Sequence, residues 1–388
     1  MAKKTPMRIL LAPDKFKGSL TAVEVCKAAK KGIKLAKPEA EVLFCPLADG
    51  GEGTFDIFAY HTEAITFEEK VCDPLFRLVN AQFAISSNGY TAFIEMAQAS
   101  GLELLSHEER NCRYTTTYGT GELICKAVEK GVQKIVLGIG GSATNDAGIG
   151  MAAALGYKFL DKKGNELKPI GENLLHIDQI DQSQLLFDPK KLEIEVACDV
   201  DNPLFGPTGA AFIYGPQKGA SKEDILQLDQ GLRHISHLWK QAWALNLVDI
   251  PGAGAAGGIG AGSIAFLGAS LRSGIELVME QANIEAQLEG IDLIITAEGK
   301  IDRQTLSGKV IAGICKKAKA AKIPVIAICG TLAATPQEVK QLGLISAHSI
   351  LSQPMDLQTA QIRAAALVEE SVTHLTNLFF LPFPRLKL

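Results

Sequence analysis

Four loops carry residue types and spacings that can do chemistry, and each follows a short apolar run. The first is Gly138-Ile139-Gly140-Gly141-Ser142-Ala143-Thr144-Asn145-Asp146. Glycine lets a backbone approach a ligand closely, and the N–H groups opening a following helix attract anions. Gly140, Gly141, Ser142, Thr144 and Asn145 are therefore candidate phosphate contacts. The second loop, residues 252–262, holds six glycines in eleven residues, too many for an unbroken helix or a packed strand. Gly257 and Gly258 at its centre are candidates for a nest of phosphate-binding N–H groups, with a hinge between domains as the competing reading. The third, Cys198-Asp199-Val200-Asp201-Asn202-Pro203, is acidic. Carboxylates two apart on extended chain point the same way, toward a metal or a hydroxyl proton, whereas Asn202-Pro203 alone is turn chemistry. The fourth, Ala297-Glu298-Gly299-Lys300-Ile301-Asp302, sets two acids at the carboxyl end of a strand, where open α/β sheets bind ligands.

Two further loops follow strands near the start of the chain. In Pro13-Asp14-Lys15-Phe16-Lys17-Gly18-Ser19, the lysines Lys15 and Lys17 can clamp an anionic substrate. In Asp49-Gly50-Gly51-Glu52-Gly53, Asp49 and Glu52 can hold Mg²⁺ or a hydroxyl. Both signs of charge at one rim suit an anionic substrate and a metal–phosphate donor. Gly215-Pro216-Gln217-Lys218-Gly219 supplies further turn backbone and one lysine. A P-loop is excluded, because Gly308-Lys309 lacks the following Ser or Thr, although Lys309 near a helix start remains a candidate phosphate contact. Gly138, Gly140 and Ala143 also satisfy the dinucleotide spacing G-x-G-x-x-A, with Asp161 at about the right distance for a ribose. Residues 159–164, however, read as a hairpin turn, which puts Asp161 at a loop tip.

The elements that must position these loops come in two patterns. Strand-to-helix alternation opens the chain: an apolar run at 8–12, a helix starting at a capping box of Thr21 and Glu24, a second strand at 41–46. It resumes from residue 291, with strands at 292–296, 323–329 and 344–351 and a last helix at about 357–378. Such alternation implies a parallel sheet covered on both faces. Between them, runs at 64–71, 78–86 and 91–96 read as antiparallel strands, with Ser87-Asn88-Gly89 as a hairpin turn. The reading is one α/β domain made of residues 1–62 and 288–388, interrupted by a mixed α/β insertion at 63–287.

Composition narrows the function classes. A chain of 388 residues, 47% hydrophobic and 21% charged, is globular and long enough for two domains. A net charge of −4 without a basic run argues against nucleic acid and anionic membranes. No apolar stretch approaches membrane-helix length, and the run at 9–12 is too short for a signal-peptide core. Eight scattered cysteines without a CxxC pair read as reduced thiols of a cytoplasmic protein and offer no zinc spacing.

The loops at 12–20, 48–54, 138–148, 197–204, 215–220 and 298–302 resemble, in order and almost throughout residues 8–375, the signature stretches of the class I glycerate kinases. The resemblance implies a flavodoxin-like parallel-sheet domain split by an inserted mixed α/β domain, with the active site in the interdomain cleft. It also implies ATP- and Mg²⁺-dependent phosphorylation of D-glycerate, O2 being preferred because members of this class more often make 2-phosphoglycerate. Many relatives carry Ser where this chain has Lys15, so Lys17 and Ser19 are the firmer anchors.

On that resemblance, the glycerate carboxylate is expected at Lys17 and Ser19, with Lys15, Asp49 and Asn202 completing the substrate contacts. The proton acceptor is read from the residues and not from the resemblance: Asp199 or Asp201 takes the hydroxyl proton and the other orients it. Phosphate is expected at Gly140, Gly141, Ser142, Thr144, Asn145, Gly257, Gly258 and Lys309, and Mg²⁺ at Glu52, Glu298 and Asp302. The alternatives are phosphorylation at O3, an NAD-dependent 2-hydroxy-acid dehydrogenase, and a non-catalytic anion binder. Self-association into a homodimer is left open.

Overall fold

The computed structural model describes residues 6–51, 53–303, 305 and 310–380. The chain separates into two compact units, one of residues 1–49 with 275–388 and one of residues 50–274. The sequence pattern put the crossings at 62/63 and 287/288. The first lies earlier because the helix Thr54–Thr62 packs its Phe58 ring on Phe93 of the second unit, stacked at 4.7 Å.

The first unit is built on five parallel strands: β1 (Arg8–Leu11), β2 (Glu41–Phe44), β11 (Leu293–Ile301), β12 (Val325–Leu332) and β13 (Ser346–Ser349), numbered along the whole chain. Their order across the sheet is β2-β1-β11-β12-β13, the flavodoxin-like 2-1-3-4-5 order. Ile9, Leu11, Leu293, Ile295, Ile326 and Ile328 are buried in its core. The helix Ala22–Ala36 starts where Thr21 and Glu24 close a capping box, as the sequence implies. It packs against the last long helix, Leu357–Phe379.

The second unit holds a six-stranded mixed sheet. Its strands are β3 (Ile65–Cys72), β4 (Leu78–Ile85), β5 (Thr91–Glu95), β6 (Lys134–Gly138), β9 (Glu193–Ala197) and β10 (Ser270–Arg272), in the order β10-β9-β6-β5-β4-β3. A separate antiparallel pair is formed by β7 (Lys158–Leu160) and β8 (Gln179–Asp181). β3, β4 and β5 are antiparallel, with the expected turn after Ser86, but β5 then runs parallel to β6, β9 and β10. Periodicity reports which face of a strand is buried and not which neighbour it takes, so only the hairpin part was legible. Parallel pairing aligns the carboxyl ends: Glu95 faces Gly138, and Gly138 faces Ala197. The candidate loops of this unit leave from that edge.

The turn after β6 is fixed by Asp146, which is fully buried. Its carboxylate accepts from the Thr117 N–H and hydroxyl, both at 2.8 Å, and from the N–H groups of Gly148 and Gly150 at 3.1 and 3.2 Å. Thr115 and Thr116, also buried, donate their hydroxyls to the carbonyls of Ala143 and Pro169. Asp146→Ala would strand these buried donors. It is expected to cost about 3 kcal/mol, several times an exposed substitution, and Asp146→Asn less, since it keeps an acceptor. Urea midpoints of the two variants against the parent chain measure this; equal midpoints would remove Asp146 from the role given to it.

Candidate functional site

In the second unit the site grows from two adjacent parallel strands. β6 delivers Gly138 to Asn145 and β9 delivers Cys198 to Asn202, side by side because Gly138 and Ala197 are register partners. Gly140 and Gly141 are exposed, while Ser142, Ala143, Thr144, Asn145 and Asp146 are buried. The backbone of Ser142 is held by a bridge to Gly101, with the Ala143 N–H donating to Ser100 O at 2.9 Å. The turn therefore offers an open glycine lip on a buried polar root.

Asp199 stands exposed at the end of β9, and its Oδ1 accepts from the Ser273 hydroxyl and the Gly274 N–H, each at 3.0 Å. Gly50 and Gly274, the residues at which the chain enters and leaves this unit, meet at the same carboxylate. A Cβ on Gly50 would lie 2.3 Å from Asp199 Oδ2, and one on Gly274 would lie 2.3 Å from Gly50 Cα. No larger residue fits either position without displacing Asp199. Gly50 O is also the nearest neighbour, at 4.0 Å, of a Cβ on Gly140, so the glycine lip and Asp199 share this edge. Asp201 is exposed and makes no hydrogen bond or ion pair among the described residues.

Other expected residues are placed differently. The Asn202 amide donates to Thr208 O at 2.9 Å and accepts from the Tyr214 hydroxyl at 2.6 Å, so it shapes the loop of residues 200–209. Gly257 and Gly258 are buried and have φ of 78° and 92°, breaking the first turn of the helix Ala255–Leu267. A Cβ on Gly257 would sit 2.0 Å from Thr144 O, and the Gly257 carbonyl accepts from the Ala147 N–H at 3.0 Å. These glycines pack closely against the back of the Ser142–Ala147 turn, which neither the nest nor the hinge reading anticipated. Asp161 caps its own exposed turn through the N–H groups of Lys163 and Asn165, which leaves the dinucleotide spacing without its ribose carboxylate.

In the first unit the loop after β1 runs beside β11. Ala12 and Asp14 donate backbone N–H groups to the carbonyls of Ile295 and Ala297 at 2.9 and 2.8 Å. Phe16 is buried and anchors a tight turn by pairing with Leu20, and Gly299 lies beside it, a Cβ there being 3.7 Å from the Lys17 N–H nitrogen. Lys17 is exposed and has no ion pair with a described residue. Lys15 is half-buried, and its N–H is taken by the Asp14 carboxylate at 2.7 Å. The Ser19 hydroxyl donates to Gln361 O at 3.2 Å, which leaves its oxygen only as an acceptor. Asp49, in the loop after β2, and Glu298, within β11, are half-buried, and Asp302 pairs with Lys300 at 2.9 Å. Glu52 and Lys309 lie outside the described residues.

Three contributors were not singled out as site residues from the sequence. Glu95 takes the Phe55 N–H at 3.0 Å from the end of β5, and Ser273 holds Asp199. Lys218, 3% exposed, donates to Ser142 Oγ and Thr144 O. Only Lys218 carried a signal, its place in a Gly-Pro-Gln-Lys-Gly turn.

Residues 9–380 match the model of the glycerate kinase family. A glycerate 2-kinase of Escherichia coli is 48% identical over 348 residues, covering 89% of this chain and 91% of the relative. A glycerate kinase of Bacillus cereus is 46% identical over 354 residues, covering 91% and 93%. The crystal structure of a candidate glycerate kinase 2 from Salmonella typhimurium LT2 superposes with a TM-score of 0.88 at 42% identity, covering 96% of this chain and 98% of that one. Matches this long, across both units, leave one conclusion: the chain belongs to the glycerate kinase family.

Proposed function

We propose that the chain transfers the terminal phosphoryl group of ATP to O2 of D-glycerate, giving 2-phosphoglycerate and ADP. The observation that carries this reading is the pairing at one sheet edge of an exposed glycine lip with an exposed carboxylate, Asp199, on the next strand. Phosphoryl transfer asks for positioning and charge neutralisation more than covalent help, so a cradle beside a proton acceptor is enough of a catalytic plan. The N–H groups around Gly140 and Gly141 take phosphate oxygens. Asp199 accepts the proton of the attacking hydroxyl, its Oδ1 being oriented by Ser273 and Gly274, and Asp201 beside it orients the alcohol. Lys17 supplies an exposed point charge for the glycerate carboxylate. The choice of O2 is supported by the relative named glycerate 2-kinase.

No three His, Cys, Asp or Glu residues gather into a ready metal site among the described residues. Mg²⁺ is commonly held by one or two carboxylates, with phosphate and water oxygens completing its shell. Glu298, within the last half of β11, and Asp302, just past its end, are hard oxygen donors that fit such a sparse set. When bound, the ion neutralises phosphate charge. No described helix is long and apolar enough to cross a membrane, and the eight cysteines are free thiols, which supports a cytoplasmic place.

Phosphorus NMR of the product formed from ATP and D-glycerate is expected to show 2-phosphoglycerate. A signal from 3-phosphoglycerate would overturn the regiochemistry, and no phosphorylated acid at all would overturn the function. Asp199→Asn keeps an oxygen for Ser273 and Gly274 and removes the base. It is expected to lower kcat by about 100-fold or more without shifting the melting temperature. A near-parental kcat would remove Asp199 from that role.

A further inference from the structure

Lys218 has its ammonium inside the second unit, where a charge is costly unless its N–H bonds are met. Nζ donates to Ser142 Oγ at 2.6 Å and to the Thr144 carbonyl at 2.8 Å. The backbone fixes that reach, since Lys218 closes the turn Pro216–Lys218 and its carbonyl accepts from the Cys112 N–H at 3.0 Å. An ammonium has no lone pair, so the serine oxygen is the acceptor in this contact. The Ser142 hydrogen is thereby left to donate, and no described residue takes it.

Ser142 follows the exposed Gly140 and Gly141 directly. The residues after it carry a second sign of a ligand. Asn145 is 1% exposed, yet neither its amide oxygen nor its nitrogen has a protein partner, and Thr144 Oγ1 has none either. Buried polar atoms are nearly always satisfied in native proteins, so three orphans in two residues mark a place built to receive something polar. A hydroxyl that accepts from a cation is a stronger donor on its other side.

We propose that Lys218 is a positioning residue that holds the Ser142 hydroxyl as a preset, charge-polarised donor to a phosphate oxygen in the Gly140–Ser142 turn. The proposal rests on the reading of that turn as the phosphate cradle. The titratable groups facing Lys218 are Cys112, whose thiol burial pushes up to about 11, and Asp146, whose carboxyl burial also pushes up. Burial pulls Lys218 itself down to about 8, against the opposing pull of Cys112 and Asp146. Donation to phosphate should therefore weaken as pH rises through about 8, when the ammonium is lost.

Calorimetric titration of the full chain with ADP, inorganic phosphate and D-glycerate tests this, using the parent, Lys218→Met, Ser142→Ala and the double variant. Lys218→Met, of similar length without the charge, is expected to weaken ADP or inorganic phosphate about tenfold and to leave glycerate unchanged. The double variant should bind no worse than Ser142→Ala, because the two act through one hydroxyl. Parental affinity for the phosphate ligand should fall above pH 8, while that of Ser142→Ala stays flat. Additive losses, a change confined to glycerate, or unchanged ADP and phosphate affinity in a folded Lys218→Met would each overturn the proposal. Should Lys218→Met not fold, Ser142→Ala with parental affinities and the parental pH profile would overturn it just as well. If the parent shows this binding pattern without phosphorylating glycerate, the function assigned above fails and this inference stands.

Discussion

A carboxylate cut off from water, Asp146, organises the turn on which the second unit's site depends. Burial alone disfavours its charge, and four donors from Thr117, Gly148 and Gly150 oppose that cost. Those donors come from both sides of the turn after β6, so satisfying one buried group fixes the direction in which the chain leaves Gly138 and re-enters the helix Ile149–Ala154. Ala147 accepts a left-handed φ of 54° in consequence, strain tolerable only where the surroundings over-determine the backbone. The hydroxyls of Thr115 and Thr116 and the carbonyl of Gly257 add further bonds around it.

This rigidity is what makes an open glycine lip useful. Catalytic dipoles act best when they need no reorganisation as charge develops, and a lip of bare backbone has little to hold it still except its root. Here the root is a layer of buried hydroxyl, amide and ammonium groups from Ser142 to Asp146 and Lys218, behind only two exposed glycines. The parallel sheet supplies the second requirement. Register between β6 and β9 sets Asp199 beside the lip with no side-chain choice involved, and the glycines at 50 and 274 let the chain enter and leave the unit against that carboxylate.

Much of this was legible in the sequence because local chemistry wrote it there. Thr21 with Glu24, the Ser87–Gly89 turn and the strand-ending glycine and carboxylate loops are all short-range signals. Gly257 and Gly258 show where such signals stop. Their composition announces unusual backbone, but whether the reason is a ligand or another chain segment depends on Thr144 and Ala147, more than a hundred residues away. Asn202 is a shorter-range case, its amide bonded to Thr208 and Tyr214, 6 and 12 residues further on. Lys218 is the reverse: a lysine reads as surface until a fold buries it, and its partner Ser142 lies 76 residues off. The parallel pairing of β5 with β6 was hidden for a related reason, since alternation along one strand says nothing about its neighbour.

On the roles proposed above, the two units would meet anions by opposite physics. Lys17 is an exposed, strongly hydrated point charge on a four-carbon stem, suited to collecting a small carboxylate from solution but weakened by salt within a Debye length of about 8 Å. The second unit uses backbone N–H groups and a hydroxyl whose orientation is set from inside, where screening ions do not reach. The buried layer is held more tightly, because Lys218 bonds Ser142 and the Thr144 carbonyl while Asp146 takes four donors from Thr117, Gly148 and Gly150. On those same proposed roles, substrate capture would rest on an exposed side chain in the first unit, and phosphate recognition on buried packing in the second.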